Sequence, residues 1–217
     1  LSVSAGATFN MSGRNLGVTG SLVAAGTLQA TAAETITASG SVDFSAAGNN
    51  FTQASSQLIM QGAATNLSAP QETFYDLSFS AAGTVTLQSA VTVGHDLAIG
   101  AGATLAGNNF NLSVGRNWSK NAAGGFTAGT GTVFFTGATT ALITGSTTFN
   151  NLSCTATGKT LQFTAGSTQT ISGTLTVTGA AGAANLISLV SSSLGSPWVL
   201  DCASPQTVTF ALVRDGD

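Results

Sequence analysis

A five-residue cassette, apolar at its third position and usually at its fifth, recurs along the chain and limits what it can fold into. It reads GSLVA at residues 20–24, GSVDF at 40–44, SQLIM at 56–60, YDLSF at 75–79 and HDLAI at 95–99. It continues as RNWSK at 116–120, GTVFF at 131–135, NNLSC at 150–154 and GTLTV at 173–177. The starts run from 20 to 173, a mean step of about 19 residues. A period of that length marks units that bury their apolar faces only against their neighbours.

Helix signals are nearly absent, because no long apolar i, i+3, i+4, i+7 pattern runs free of glycine. Alternation with period two is everywhere instead, as in Leu77/Phe79, Val85/Leu87, Val91/Val93, Leu97/Ile99, Leu175/Val177 and Val208/Phe210/Leu212. Such runs, separated by Gly, Ala, Asn and Ser, predict strands of three to five residues joined by tight bends. A β-sandwich has similar strands; the rung periodicity favours an all-β right-handed parallel β-helix of about eleven turns of roughly 19–20 residues.

A longer repeat overlies the short one. Residues 1–8 match 97–104 and 15–18 match 111–114, both at an offset of 96; 40–45 match 131–136 at 91, and 73–78 match 148–153 at 75. The predicted organisation is one solenoid over 1–217, with superrepeat copies at about 1–96 and 97–184 and a terminal segment at 185–217. The shrinking offset suggests an extra turn around Ser56 to Gln61 in the first copy. The chain begins at Leu1 with no signal peptide, so it reads as a segment of a longer secreted precursor.

Only 6% of residues are charged, with 43% apolar and 27 glycines. That is too apolar for disorder, and no apolar run is long enough to span a membrane. Arg14, Arg116, Lys120, Lys159 and Arg214 never cluster, so there is no nucleic-acid footprint. Low charge suits a solenoid, in which equivalent side chains stack about 4.8 Å apart and like charges would repel.

The quoted segments carry a resemblance. Residues 114–137 (VGRNWS…FTAGTGTVFFTG), 147–153 (TTFNNLS) and 174–179 (TLTVTG) resemble repeats of large bacterial surface proteins, and 185–215 resembles the stretch closing such blocks. That group is similar in architecture to the filamentous-haemagglutinin and autotransporter-passenger class of β-helices. The resemblance implies a non-catalytic structural or adhesive rod, extracellular or at a bacterial cell surface, with surface glycans or proteins as partners. It brings no catalytic, cofactor-binding or metal residue. Cys154, Cys202, Asp76 and Asp96 depart from its pattern.

Few residues suggest chemistry. Asp76 and Asp96 share a cassette slot, so their carboxylates are expected about one rung, 5–7 Å, apart. Paired carboxylates suit Ca²⁺ or acid/base work, but alternation turns both outward as solvated strand starts. His95 adjoins Asp96 without a nucleophile elbow. Asp215-Gly-Asp217 is an incomplete calcium loop. Trp118 fills a core slot in preference to stacking on sugar, Phe134 points outward, and Cys154 is a small core residue that a disulfide to Cys202 would require to be close. Asn49/Asn50, Asn108/Asn109 and Asn150/Asn151 suit bends.

Three alternatives accompany the rod: a filament subunit stacked head to tail through open terminal turns, a carbohydrate-active β-helix enzyme, and an ice-binding solenoid. The last needs Thr-x-Thr pairs such as Thr84/Thr86 and Thr176/Thr178 to recur in the same slot of adjacent rungs, which the cassettes do not show. Register itself is predicted: Leu77, Leu97, Trp118, Leu152 and Leu175 inward in one column or adjacent ones, Ser78, Ala98, Ser119, Ser153 and Thr176 outward.

Overall fold

The structure, a computed structural model, describes every residue except Asn49 and Pro205. Among the described residues, thirty short strands and one 3₁₀ turn at Ala183–Asn185 make up the regular structure. Except at one break on each of two faces, every strand pairs in parallel with the third strand after it, so three strands make a turn and the chain forms a parallel β-solenoid of ten turns. At about 4.8 Å per turn the stack is about 48 Å tall. Among the described residues no helix is long and apolar enough to cross a membrane.

The third face is one unbroken ten-stranded sheet from Leu16–Val18 to Ala211–Arg214. The other two are divided. On the first face, seven strands from Ser2–Val3 to Gly125–Thr127 are followed by three, Thr147–Phe149, Thr168–Ile171 and Val199–Cys202. On the second face, Thr8–Asn10, Thr27–Gln29 and Phe51–Thr52 precede seven strands from Thr73–Phe74 to Thr207–Thr209.

Ten turns replace the expected eleven because the cassettes do not all lie on one face. Leu22 and Val42 are on the first, Leu58, Leu77, Leu97 and Trp118 on the third, and Val133, Leu152 and Leu175 on the second. The step from 40 to 56 therefore stays within one turn, and that from 116 to 131 covers two strands. Third-face partners give the actual rise: eight steps from Leu16 to Ser191 span 175 residues, about 22 per turn.

The longer repeat relates strands on different faces. Its offsets of 96, 91 and 75 residues correspond to 14, 13 and 11 strands, none a multiple of three. The fall from 91 to 75 is thus two strands, less than the extra turn suggested by the sequence. A strand and its bend serve on any face because each face asks for the same apolar alternation.

Within each face the expected register holds. Leu77 pairs with Leu97 and Leu97 with Trp118; Leu152 pairs with Leu175 on a second face. All five are buried, whereas Ser78, Ala98, Ser119, Ser153 and Thr176 face outward and are half-exposed. The inward columns of Leu, Val, Ile and Phe form one continuous core.

Aromatic side chains gather where the ladders break. Phe51 ends the upper segment of the second face and Phe74 begins the lower one; their rings lie 5.7 Å apart, with Phe44 5.5 Å and 6.3 Å away. On the first face Phe126 and Phe149 flank the break at 6.0 Å, with Trp118 against both at 4.9 Å and 5.2 Å. Packing of large apolar rings there takes over from ladder hydrogen bonds in joining turn to turn, aided on the second face by the Asn50 N–H donating to Glu72 Oε1 at 2.6 Å.

Candidate functional site

Three charged residues and the single histidine converge at the entrance to the third face. Two neighbouring slots build the cluster. Tyr75 and His95 occupy the slot before the strand in successive turns, and their rings stack at 4.4 Å. Asp76 and Asp96 occupy the next, one residue before the inward Leu77 and Leu97.

His95 Nδ1 lies 2.8 Å from Asp76 Oδ1 and 3.7 Å from Asp96 Oδ1. Arg116 closes the far side as a fork, Nε donating to Asp96 Oδ1 at 2.8 Å and Nη2 to Oδ2 at 2.5 Å. Burial alone would raise the Asp96 pKa; the Arg116 hydrogen bond, the Asn117 N–H and the nearby His95 outweigh it and hold the carboxyl below its ordinary value. The same pairing raises the Arg116 pKa. An open groove of about 340 Å³ runs alongside, lined by Gln57, Asp76, Ser78, Asp96, Asn117 and Ser119 among others.

The slot also has a structural duty. Asp76 Oδ1 accepts the N–H of Asp96 at 3.0 Å, Asp96 Oδ1 that of Asn117 at 3.1 Å, and Asn117 Oδ1 that of Leu142 at 2.9 Å. Asn15 does the same for Thr35, Asn111 for Thr132 and Asn151 for Thr174. A short side-chain acceptor here satisfies an N–H of the next turn at the corner where the strand begins. That explains the recurrent Asn or Asp before the inward residue.

The expectation of solvated strand starts is therefore corrected: both carboxylates are half-buried and bonded across turns. Sequence reasoning weighed His95 only for a triad and missed its pairing with Asp76, and it gave Arg116 no role at Asp96. The signal was present, since Tyr75, His95 and Arg116 share the first cassette slot as Asp76, Asp96 and Asn117 share the second. Among the described residues no hydroxyl hydrogen-bonds to the imidazole, so the His–Asp pair lacks the nucleophile contact of a catalytic triad.

The other candidates occupy other places. Trp118 is fully buried, its Nε1 donating to Thr147 Oγ1 at 3.2 Å, so its ring is closed to sugars. Phe134 faces outward and is half-buried. Cys154 is a buried free thiol and Cys202 a half-buried one, and burial raises both pKa values. Asp215 sits 3.6 Å from Arg214 and accepts the Gly195 N–H, so it belongs to the last turn's own bonding. Asn108 and Asn109 adopt the left-handed backbone expected of bends; Asn49 lies outside the described residues. Thr176 and Thr178 do register with Thr207 and Thr209, and Thr84 with Thr104, contrary to the expectation of no rung-to-rung threonine match. These pairs extend over only two rungs each.

Three buried charges, Lys159, Glu34 and Glu72, were also unforeseen. Lys159 is fully buried, its ammonium donating to the carbonyls of Gly115 at 2.9 Å, Gly137 at 2.7 Å and Thr139 at 3.0 Å. Its three protons meet three acceptors across neighbouring turns, while desolvation lowers its pKa. The Gly115 carbonyl lies in a corner where a Cβ on Gly115 itself would run into Gly94, so glycine is required there. Glu34 accepts the N–H groups of Thr31, Ala32 and Gly13 and the Thr31 hydroxyl; the Thr31 backbone bond leads in lowering its pKa to about 2.

Compared with family models, curated proteins and solved structures, the chain matches none.

Proposed function

We propose that this chain is a non-catalytic structural or adhesive rod, part of an extracellular or bacterial cell-surface protein of the filamentous-haemagglutinin and autotransporter-passenger type. The observation that carries the reading is the use made of the polar groups. Asp76, Asp96, Arg116, Glu34 and Lys159 all take part in joining one turn to the next, Glu34 through the Gly13 N–H. What remains outside is a long, weakly charged surface suited to surface glycans or proteins, with nucleic acid and membrane insertion outside the reading. Antibody labelling of intact source cells, with assay of the purified segment on glycan and matrix-protein arrays, tests it. Surface labelling and array binding without polysaccharide cleavage are expected. Labelling only after permeabilisation, or release of reducing sugar, would overturn it in favour of an intracellular role or of the carbohydrate-active alternative.

A second reading, a head-to-tail filament, draws on the last turn. Val208, Phe210, Leu212 and Val213 are exposed there, and Val208 and Val213 line a cavity of about 300 Å³ with Leu189, Trp198 and Leu200. Apolar surface beside unpaired strand edges takes either a further turn of polypeptide or a second copy. Electron microscopy over a concentration series separates these: fibres support stacking, and uniform short rods at every concentration refute it.

A further inference from the structure

We propose that Asp76, His95 and Asp96 form a binding site for a divalent transition-metal ion of the Zn²⁺ type, which bridges the fourth and fifth turns. One ligand atom from each residue lies within 4.8 Å of the others. The separations of 2.8 Å and 3.7 Å from Nδ1 to the two carboxylate oxygens bracket the edge of about 3.3 Å that bonds of about 2.0 Å make around a tetrahedral centre. One imidazole nitrogen with two carboxylate oxygens suits a borderline ion; Ca²⁺ asks for six to eight oxygens.

Three further features favour a site over a chance cluster. Asp76 opens the strand Asp76–Phe79, and His95 and Asp96 lie in the bend leading into its neighbour Leu97–Ile99; backbone bonds from His95 N–H to the Tyr75 carbonyl at 3.0 Å and from Leu77 N–H to the Asp96 carbonyl at 2.9 Å fix their spacing. Both aspartates are oriented by groups behind them, Asp76 by the Asp96 N–H and Asp96 by the Asn117 N–H and the Arg116 fork, in the manner of outer-shell partners of metal ligands. The groove beside Asp76 and Asp96 leaves room for a water or exogenous ligand as the fourth donor. Binding at Nδ1 requires the imidazole proton on Nε2, so the ion replaces the His95–Asp76 hydrogen bond with two metal bonds. Arg116 opposes the ion's charge, which places the site among the weaker, exchangeable ones.

Because His95 is the chain's single histidine, its ring signals report on this site alone. The experiment titrates ZnCl₂ into the protein carrying Cys202→Ser, which removes the more exposed thiol, and follows heat release and the His95 ring resonances by NMR. One ion per chain is expected, with the ring resonances moving in step with the heat. Asp76→Asn, which keeps the acceptor for the Asp96 N–H, should weaken binding about tenfold or more, and His95→Ala should abolish the one-to-one event. Unmoved ring resonances at millimolar Zn²⁺, or undiminished one-to-one binding by His95→Ala with native circular dichroism, would overturn the assignment.

Discussion

On the third face every turn hydrogen-bonds the next from Leu16 to Arg214, whereas the second face breaks after Thr52 and the first after Thr127. Turns on the continuous face are joined by ladder bonds, by Leu-on-Leu columns and by Asn or Asp acceptors at the corner. At each break the neighbouring turns are joined by three aromatic rings, Phe44, Phe51 and Phe74 in one place and Trp118, Phe126 and Phe149 in the other. Hydrogen bonds fix register, because a shift of one residue inverts every side chain. Aromatic packing supplies area without demanding register. A rod made of near-neighbour contacts can thus tolerate a broken ladder on one face while another remains intact.

The largest expected effect tests the continuous face. Leu97→Asp places an unpaired charge between two turns and should destabilise by on the order of 5 kcal/mol, read as a lost or much lowered thermal transition.

Next come the breaks. Phe74→Ala and Phe149→Ala should each remove about 4 kcal/mol and, unlike Leu97→Ala, should divide denaturant unfolding into two steps. Hydrogen exchange would then separate the segments on either side. A single transition in both variants would mean that the third-face ladder alone couples the rod.

Lys159→Met leaves three inward carbonyls without their donor and should lower stability by on the order of 3 kcal/mol, measured by urea denaturation at neutral pH. An unchanged midpoint would show that these carbonyls find other partners.

Acid should act more gently. The folded pKa of Glu34, about 2, lies below its ordinary 4.5, so its contribution is complete above pH 4.5 and is lost as pH falls toward 2. Asp96 acts with the same sign. Glu34→Gln should flatten the decline in melting temperature across that window; an identical slope would refute the role assigned to its backbone bonds.

The smallest effect is expected at Ala98→Asp, beside Leu97 but facing outward, at about 0.5 kcal/mol or less. If this variant melts like Leu97→Asp, the inward and outward assignments are reversed.

The sequence determined the class of fold and the direction of its side chains. Strand-length alternation, glycine-rich bends and a recurring cassette leave little but stacked short strands, and each cassette's third residue is buried as alternation requires. It also placed Asp76 above Asp96, since equal slots in paired strands are neighbours. Tertiary structure decided which face each cassette occupies, hence the ten turns of about 22 residues, because a strand and its bend look alike on all three faces. It decided where the ladders break, for Phe51 and Phe74 are joined by contacts across turns that no local pattern encodes. It brought His95 to Asp76 and Arg116 to Asp96, and it carried Lys159 inward to the carbonyls of Gly115, Gly137 and Thr139. Alternation is a property of neighbours along the chain and survives in one dimension; pairing between turns depends on the path each bend takes, and exists only once the stack has formed.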